Sequence, residues 1–389
     1  MKYLKSFLNF FKKTIIFLFI FILSDIVFFA FIPSEIKLKL YNNRAHRIKS
    51  YYYHHDLRPM ASFYDHWGYE RYKIYTNSLG FKDEFNRKVK FKNKNILFIG
   101  DSFTEGVGVR YEDTYVGLID KHLKKNDKNV EILNAGVQSY STSIYLSKIY
   151  HLIERKKLPI TDIVIMISGG DFYDDNFKYL ELNEDYVLNH IDQKNKIMIK
   201  IINFYKSNTL TYQFLSRITP PKVIPQLIKS IFESNKTKTN YDEKEKELLS
   251  IRNNEIDQIQ FLNRSDYAYL YSIEEFDLWG KKAIDKSLYN LKQIIELTEK
   301  NEINLNIFYL YEPVIFLKKP NKKQFDYLIN SLENLKKTNV NVNFIRDVYK
   351  EFENPYEAYK SLFFIGDIHW NKKGNKKVSE EILNKIDLN

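Results

Sequence analysis

The stretch NILFIGDSFTEGVG, residues 95–108, passes from a dense apolar run into a polar turn, with Gly100, Gly106 and Gly108 gathered around Ser102. A short apolar run closed by Gly-Asp-Ser reads as a buried strand turning into a helix, with Asp101, Ser102 or Thr104 available as the N-cap. The same turn would also hold a serine up at the end of a strand, where a nucleophile stands. The two readings predict the same local fold and different chemistry, so the rest of the chain has to separate them.

Four more runs share the character of 95–100: VEILNAG (130–136), DIVIMIS (162–168), LNIFYLY (305–311) and VNFIRD (342–347). Helix-length segments lie between and after them, at 111–125, 141–157, 278–300, 322–337 and 372–387. Ile284, Leu288, Leu291 and Ile295 fall on one face of the third, and Phe325, Leu328, Ile329, Leu332 and Leu335 on one face of the fourth, the stripe of a half-buried helix. Buried strands alternating with amphipathic helices predict an α/β domain over 95–389, a five-stranded parallel sheet covered on both faces. Sites in such sheets form beyond the carboxyl ends of the strands. Residues 178–270 break the rhythm as a polar, lysine-rich insertion with one apolar helical portion, IMIKIINFYKSNTLTYQFLSRI, and a break at Pro220 and Pro221. That mostly helical insertion suits a lid, a membrane-facing helical pair or a partner surface.

The loops at the strand ends carry the chemistry. They are GDSFTEG with Ser102, NAGVQSYS with Gly136, SGGDFYDD with Gly169, Gly170 and Asp171, and GDIHWNKKGN with Asp367 and His369. Eight of the 12 glycines fall in these four loops, which indicates tight turns where the sheet ends. A serine hydroxyl becomes a useful nucleophile when an imidazole takes its proton and a carboxylate orients that imidazole. Ser102 fits the nucleophile, His369 the general base and acid, and Asp367 the orienting carboxylate. The backbone N–H groups of Ser102 and Gly136 are candidates for the oxyanion hole.

In this order the four blocks resemble the GDSL or SGNH hydrolase superfamily, over roughly 72–177 and 304–389. The lead-in YTNSLGF is similar to membrane-anchored bacterial members. The resemblance implies a flavodoxin-like three-layer α/β/α sandwich and serine esterase chemistry. It also implies a third oxyanion donor from an asparagine in a Gly-x-Asn-Asp block. Here Gly170 stands at that position, followed by Asp171, so the protein either works more slowly, borrows another donor such as Asn176, or lets water or substrate fill the gap. Asp367 precedes His369 by two residues where many members have three.

The N-terminus adds a location. TIIFLFIFILSDIVFFAFI, residues 14–32, is about one bilayer core long as a helix. Its length, with no small-residue cut site, favours an uncleaved transmembrane anchor over a signal peptide. Residues 1–13 carry Lys2, Lys5, Lys12 and Lys13 and are read as cytoplasmic, with the remaining chain on the periplasmic or extracytoplasmic side. Residues 33–94 read as an aromatic-rich extended arm with turns. His54, His55 and His66 within it are expected to stack and hydrogen-bond rather than hold zinc.

The 389 residues hold 60 basic and 49 acidic side chains, a formal charge of +11, and 44% hydrophobic residues, which excludes wholesale disorder. The lysines are scattered, with no arginine block, so no nucleic-acid partner is expected. Without cysteine, thiolate catalysis, disulfides and Cys-based zinc sites are excluded. Asp171, Asp174 and Asp175 are expected as solvated loop acids, with no metal and no cofactor. Trp370 either shapes the pocket or packs under the last helix. Three functions follow: an anchored esterase acting on an O-acyl ester of an envelope glycan or lipid, an O-acyltransferase with the same triad, and a glycan-binding or assembly protein that kept the fold.

Overall fold

The computed structural model describes residues 2–32, 46–50, 52–67, 70–125, 129–179 and 262–386, together with 201, 204, 205 and 208–213. Most of the predicted insertion therefore lies outside the described residues.

Among the described residues, the five expected strands form the parallel part of the main sheet. They are β6 (Lys94–Gly100), β7 (Val130–Asn134), β8 (Asp162–Ile167), β9 (Asn304–Leu310) and β10 (Val340–Ile345). Their spatial order is β7-β6-β8-β9-β10. Counted in chain order that is 2-1-3-4-5, the doubly wound flavodoxin-like arrangement. Ile96, Leu97, Phe98, Ile99, Ile163, Val164 and Ile165 are all fully buried. Strands this apolar need helices on both faces. Helices α4 (Thr142–Tyr150), α5 (Gly169–Phe177) and α6 (Lys281–Lys300) pack together, and α3 (Tyr115–Lys125) packs with α7 (Lys372–Lys385). The order switches between β6 and β8, so the loops after these two strands diverge and leave a crevice at their carboxyl ends.

The five expected parallel strands are all present, and the sheet is wider than that parallel part, with eight strands among the described residues. Strands β3 (Ser62–Trp67), β4 (Glu70–Thr76) and β5 (Lys82–Asp83) add antiparallel to the β7 edge. They come from the segment expected as an extended arm. Its aromatics drive the pairing: Phe63 and Tyr72 alternate with polar residues and are buried against the core, as is Ile74. A separate antiparallel pair, β1 (Arg47–Lys49) and β2 (His55–Leu57), precedes them.

Helix α1 (Lys2–Phe31) takes in the expected anchor, and the stretch apolar enough to cross a membrane is Asn9–Phe31, 23 residues, rather than 14–32. Only 6% of its apolar window is buried. Its one acidic residue, Asp25, is explained by a partner: the carboxylate accepts the backbone N–H groups of Leu210 and Thr211 at 3.0 and 3.1 Å.

Candidate active site

Strand β6 ends at Gly100 and the chain turns at once into the one-turn helix α2 (Ser102–Glu105). Asp101 is its cap, with Oδ1 accepting the Phe103 N–H at 2.9 Å. Ser102 is thereby set at the carboxyl end of the sheet, and its Oγ lies 2.7 Å from His369 Nε2, across 267 positions of sequence. His369 Nδ1 donates to Asp367 Oδ1 at 2.5 Å, and the same oxygen accepts the His369 backbone N–H at 2.8 Å. A carboxylate only accepts, so Nδ1 carries the proton and Nε2 is left to accept from the serine. Burial alone would raise the Asp367 pKa, but the His369 imidazole beside it holds the carboxyl below its ordinary range.

Local sequence makes the Asp-x-His turn. Gly366 sits at φ +77°, a backbone conformation glycine adopts without strain. Its N–H and that of Asp367 both donate to Tyr359 Oη, at 2.7 and 3.2 Å. Trp67 meets His369 edge-on at 4.7 Å between ring centroids, and Phe103 packs on it at 4.8 Å. Ser102 and His369 keep 8% and 7% of their surface exposed. Both open into a cleft of about 340 Å³ whose wall is polar, including Asp174, Lys178, Arg264, Asp266 and Tyr267. Lys178 pairs with Asp174 at 2.6 Å, and Arg264 pairs with Asp266.

The oxyanion candidates fare differently. The Gly136 N–H donates to Asn134 Oδ1 at 3.2 Å, and the residue does not line the cleft. Its missing side chain serves packing, because a Cβ there would fall 2.6 Å from Thr104 Cβ and 2.7 Å from the Glu105 nitrogen. The loop comes to the cleft two residues later, and the candidate is corrected from Gly136 to Ser139. Ser139 lines the cleft at φ +62°, and its N–H makes no hydrogen bond among the described residues. Nor does the N–H of Ser102. The polar turn Gln138-Ser139-Tyr140 between a strand and a helix was the available signal. Gly170 does line the cleft, and a Cβ there would sit at ordinary contact distance, 3.5 Å from Tyr267 Oη and 3.7 Å from Asp266 Oδ2. Asn176 is buried away from that wall.

The acids after β8 are not solvated, which corrects the expectation for them. Asp171 and Asp175 are buried because α5 packs them against α4 and α6, and Asp174 is 8% exposed on the cleft wall beside Lys178. Asp175 accepts the Ser143 N–H at 3.0 Å, and the hydroxyls of Ser141, Thr142 and Ser287 as well. Burial, and then the nearby Asp101 charge, push Asp171 well above the carboxylate range. The Ser168 hydroxyl bridges the two, 3.0 Å from Asp101 Oδ2 and 2.9 Å from Asp171 Oδ1. Glu312, just beyond β9, was not singled out in the sequence. It accepts the Gly169 N–H at 3.1 Å and the Tyr267 hydroxyl at 2.6 Å, and burial pushes its carboxyl up to about 8. Trp370 packs against Phe103 and Tyr115 beneath the last helix. His55 bonds to the loop before α4, with Nε2 2.8 Å from Gln138 O, and His54 Nδ1 lies 2.9 Å from His55 Nδ1. The side chain of His66 is outside what is described.

No protein-family model matches the chain, and no curated protein matches it. Solved structures do. The psychrotrophic esterase EstA from Pseudoalteromonas sp. is 11% identical, over 75% of this chain and 96% of its own, at a TM-score of 0.39. A lipase/acylhydrolase from Enterococcus faecalis is 12% identical, over 75% and 95%, at 0.38. A catalytic mutant of Axe2, an acetylxylan esterase from Geobacillus stearothermophilus, is 11% identical, over 77% and 97%, at 0.39.

Proposed function

We propose that this protein is a membrane-anchored serine esterase of the SGNH type, cleaving an O-acyl ester on a cell-envelope glycan or lipid. The observation that carries the reading is the unbroken chain Ser102–His369–Asp367, with hydrogen bonds of 2.7 and 2.5 Å. In the first step Ser102 Oγ attacks the ester carbonyl and its proton passes to His369 Nε2. The imidazolium so formed is stabilised by Asp367. The N–H groups of Ser102 and Ser139 receive the developing oxyanion, and Gly170 supplies no side-chain donor where the resembled family has an asparagine. His369 then gives its proton to the leaving alcohol. A water attacks the acyl-enzyme, losing its proton to the same nitrogen, and the carboxylic acid departs as Ser102 is restored.

The polar wall with its two ion pairs favours a hydroxyl-rich substrate, a glycan before a lipid. The 23-residue apolar helix supports an anchor, and Lys2, Lys5, Lys12 and Lys13 before it favour a cytoplasmic N-terminus with the catalytic domain on the extracytoplasmic side. A second reading is favoured by the low exposure of Ser102 and His369: a cleft that limits water would pass the acyl group to a sugar hydroxyl instead. Ser102→Ala is expected to abolish both turnover of a chromogenic acetyl ester and labelling by a fluorophosphonate. Wild-type protein that neither labels nor turns over would leave the binding function instead. Acetate release measured against transfer, on acetylated envelope glycans, separates the two enzymatic readings.

A further inference from the structure

The loop that brings Ser139 to the cleft is held from outside the parallel sheet. Its Gln138 carbonyl accepts from His55 Nε2 at 2.8 Å, and its Gln138 N–H donates to Glu105 Oε2 at 2.6 Å. Glu105 is fully buried at the end of the serine turn and is gripped by Arg47, Nη1 to Oε2 at 2.9 Å and Nη2 to Oε1 at 2.6 Å. Arg47 also reaches Asp65 at 3.1 Å. One residue further on, Tyr179 donates its hydroxyl to the Ser139 carbonyl, and Tyr140 donates its own to the His55 carbonyl at 2.7 Å. Both His55 and Arg47 belong to the β1–β2 pair that follows the apolar helix.

The tautomer follows from these contacts. A carbonyl oxygen only accepts, so Nε2 of His55 carries the proton. Burial takes this imidazole down to about 4, so at neutral pH the ring is uncharged and its Nδ1 accepts from His54. The Gln138 carbonyl and the Ser139 N–H are the two ends of one peptide unit. Fixing the first fixes the direction of the second, and a carbonyl that accepts a hydrogen bond makes its own N–H a stronger donor. A serine at φ +62° is a conformation few non-glycine residues adopt, and surrounding contacts have to hold it there.

We infer that His55, directly, and Arg47, through Glu105, are positioning residues that hold the Gln138–Ser139 peptide so that the Ser139 N–H serves the oxyanion. The inference rests on the esterase reading above. The segment between the apolar helix and the catalytic domain thus completes the reaction site as well as connecting the two.

The test is steady-state hydrolysis of a chromogenic acetyl ester by the full chain in detergent, with melting temperatures and crystal structures of the variants. His55→Phe removes the donor, whereas His55→Gln keeps an N–H at similar reach. The phenylalanine variant is expected to lose about 10- to 100-fold in kcat with KM within about twofold, somewhat less than deleting a whole oxyanion donor costs. The glutamine variant should stay within about threefold of wild type. In the phenylalanine variant the 138–139 peptide should rotate and Ser139 leave its left-handed conformation. Unchanged kcat in His55→Phe, or a peptide that keeps its orientation, overturns the inference while leaving the esterase intact. Equal losses in both variants that follow their melting temperatures also overturn it, because His55 would then be structural only. A wild-type protein inert to ester and fluorophosphonate alike takes down the catalytic reading itself, and the inference with it, before any variant is compared.

Discussion

Glu312 faces two donors, Tyr267 Oη at 2.6 Å and the Gly169 N–H at 3.1 Å, with no exposed surface of its own. Burial raises its carboxyl to about 8, against about 4.3 in an unfolded chain. Between those values the folded protein keeps a proton that the unfolded chain has lost, so rising pH favours unfolding. The Glu312 contribution is fully present below about pH 4.3, declines up to about pH 8, and is flat above. The melting temperature of the wild type is expected to fall from pH 5 to pH 8, and Glu312→Gln, which cannot ionise, should flatten that fall. A slope unchanged in the variant would assign the decline to other groups, with the Asp101–Ser168–Asp171 bridge next in line. Nothing in the sequence around Glu312 marks it, since one glutamate before a proline resembles any loop acid until the fold removes its water.

At the scale of elements, helix α4 is tied to the separate β1–β2 pair through one cation. Lys148 is fully buried, and its Nζ donates to Asp56 Oδ1 and to the Ala135 carbonyl at 3.0 Å, and to Tyr140 Oη at 3.1 Å. Burial pulls its ammonium below the ordinary lysine range, and the Asp56 carboxylate is what keeps the charge tolerable. Breaking such a pair leaves the other charge stranded. Lys148→Met is expected to cost about 3–5 kcal/mol in denaturant unfolding, and adding Asp56→Asn should recover part of that loss in a double-mutant cycle. The helices and parallel strands were readable because their periodicity is local. Strands β3 and β4 were not, because aromatic residues such as Tyr64 and Tyr72 suit an extended arm as well as a strand. Only the free β7 edge turns them into a sheet.

Among the described residues of the molecule, the exposed apolar surface is concentrated on α1, where Phe10, Phe17, Phe19, Phe28 and Phe31 each leave more than 60% of their area uncovered. A helix this apolar over 23 residues is long enough to cross a bilayer. The full chain is expected to sediment with membranes through an alkaline carbonate wash and to be released by detergent. Release by carbonate alone would assign the helix to a peripheral contact. The apolar length was legible from sequence, and so was the cost of its single acid. The partner of that acid, the N–H groups of Leu210 and Thr211, was not, because it lies 185 and 186 positions away.

By itself the sequence determined what depends on near neighbours: an alternation of strand and helix periods, turns where glycines gather, and an aspartate two residues from a histidine. It also brought the serine and that pair under one reading, since a serine, a histidine and an aspartate in strand-end loops are the residue types that nucleophilic acyl transfer requires. The tertiary structure alone decided which amide reaches the cleft, which acids lose their water, and what the aromatic segment pairs with. Hydrogen-bond direction and burial depend on groups far apart in the chain: the Gly136 N–H meets Asn134, and Ser139, not Gly136, lines the cleft.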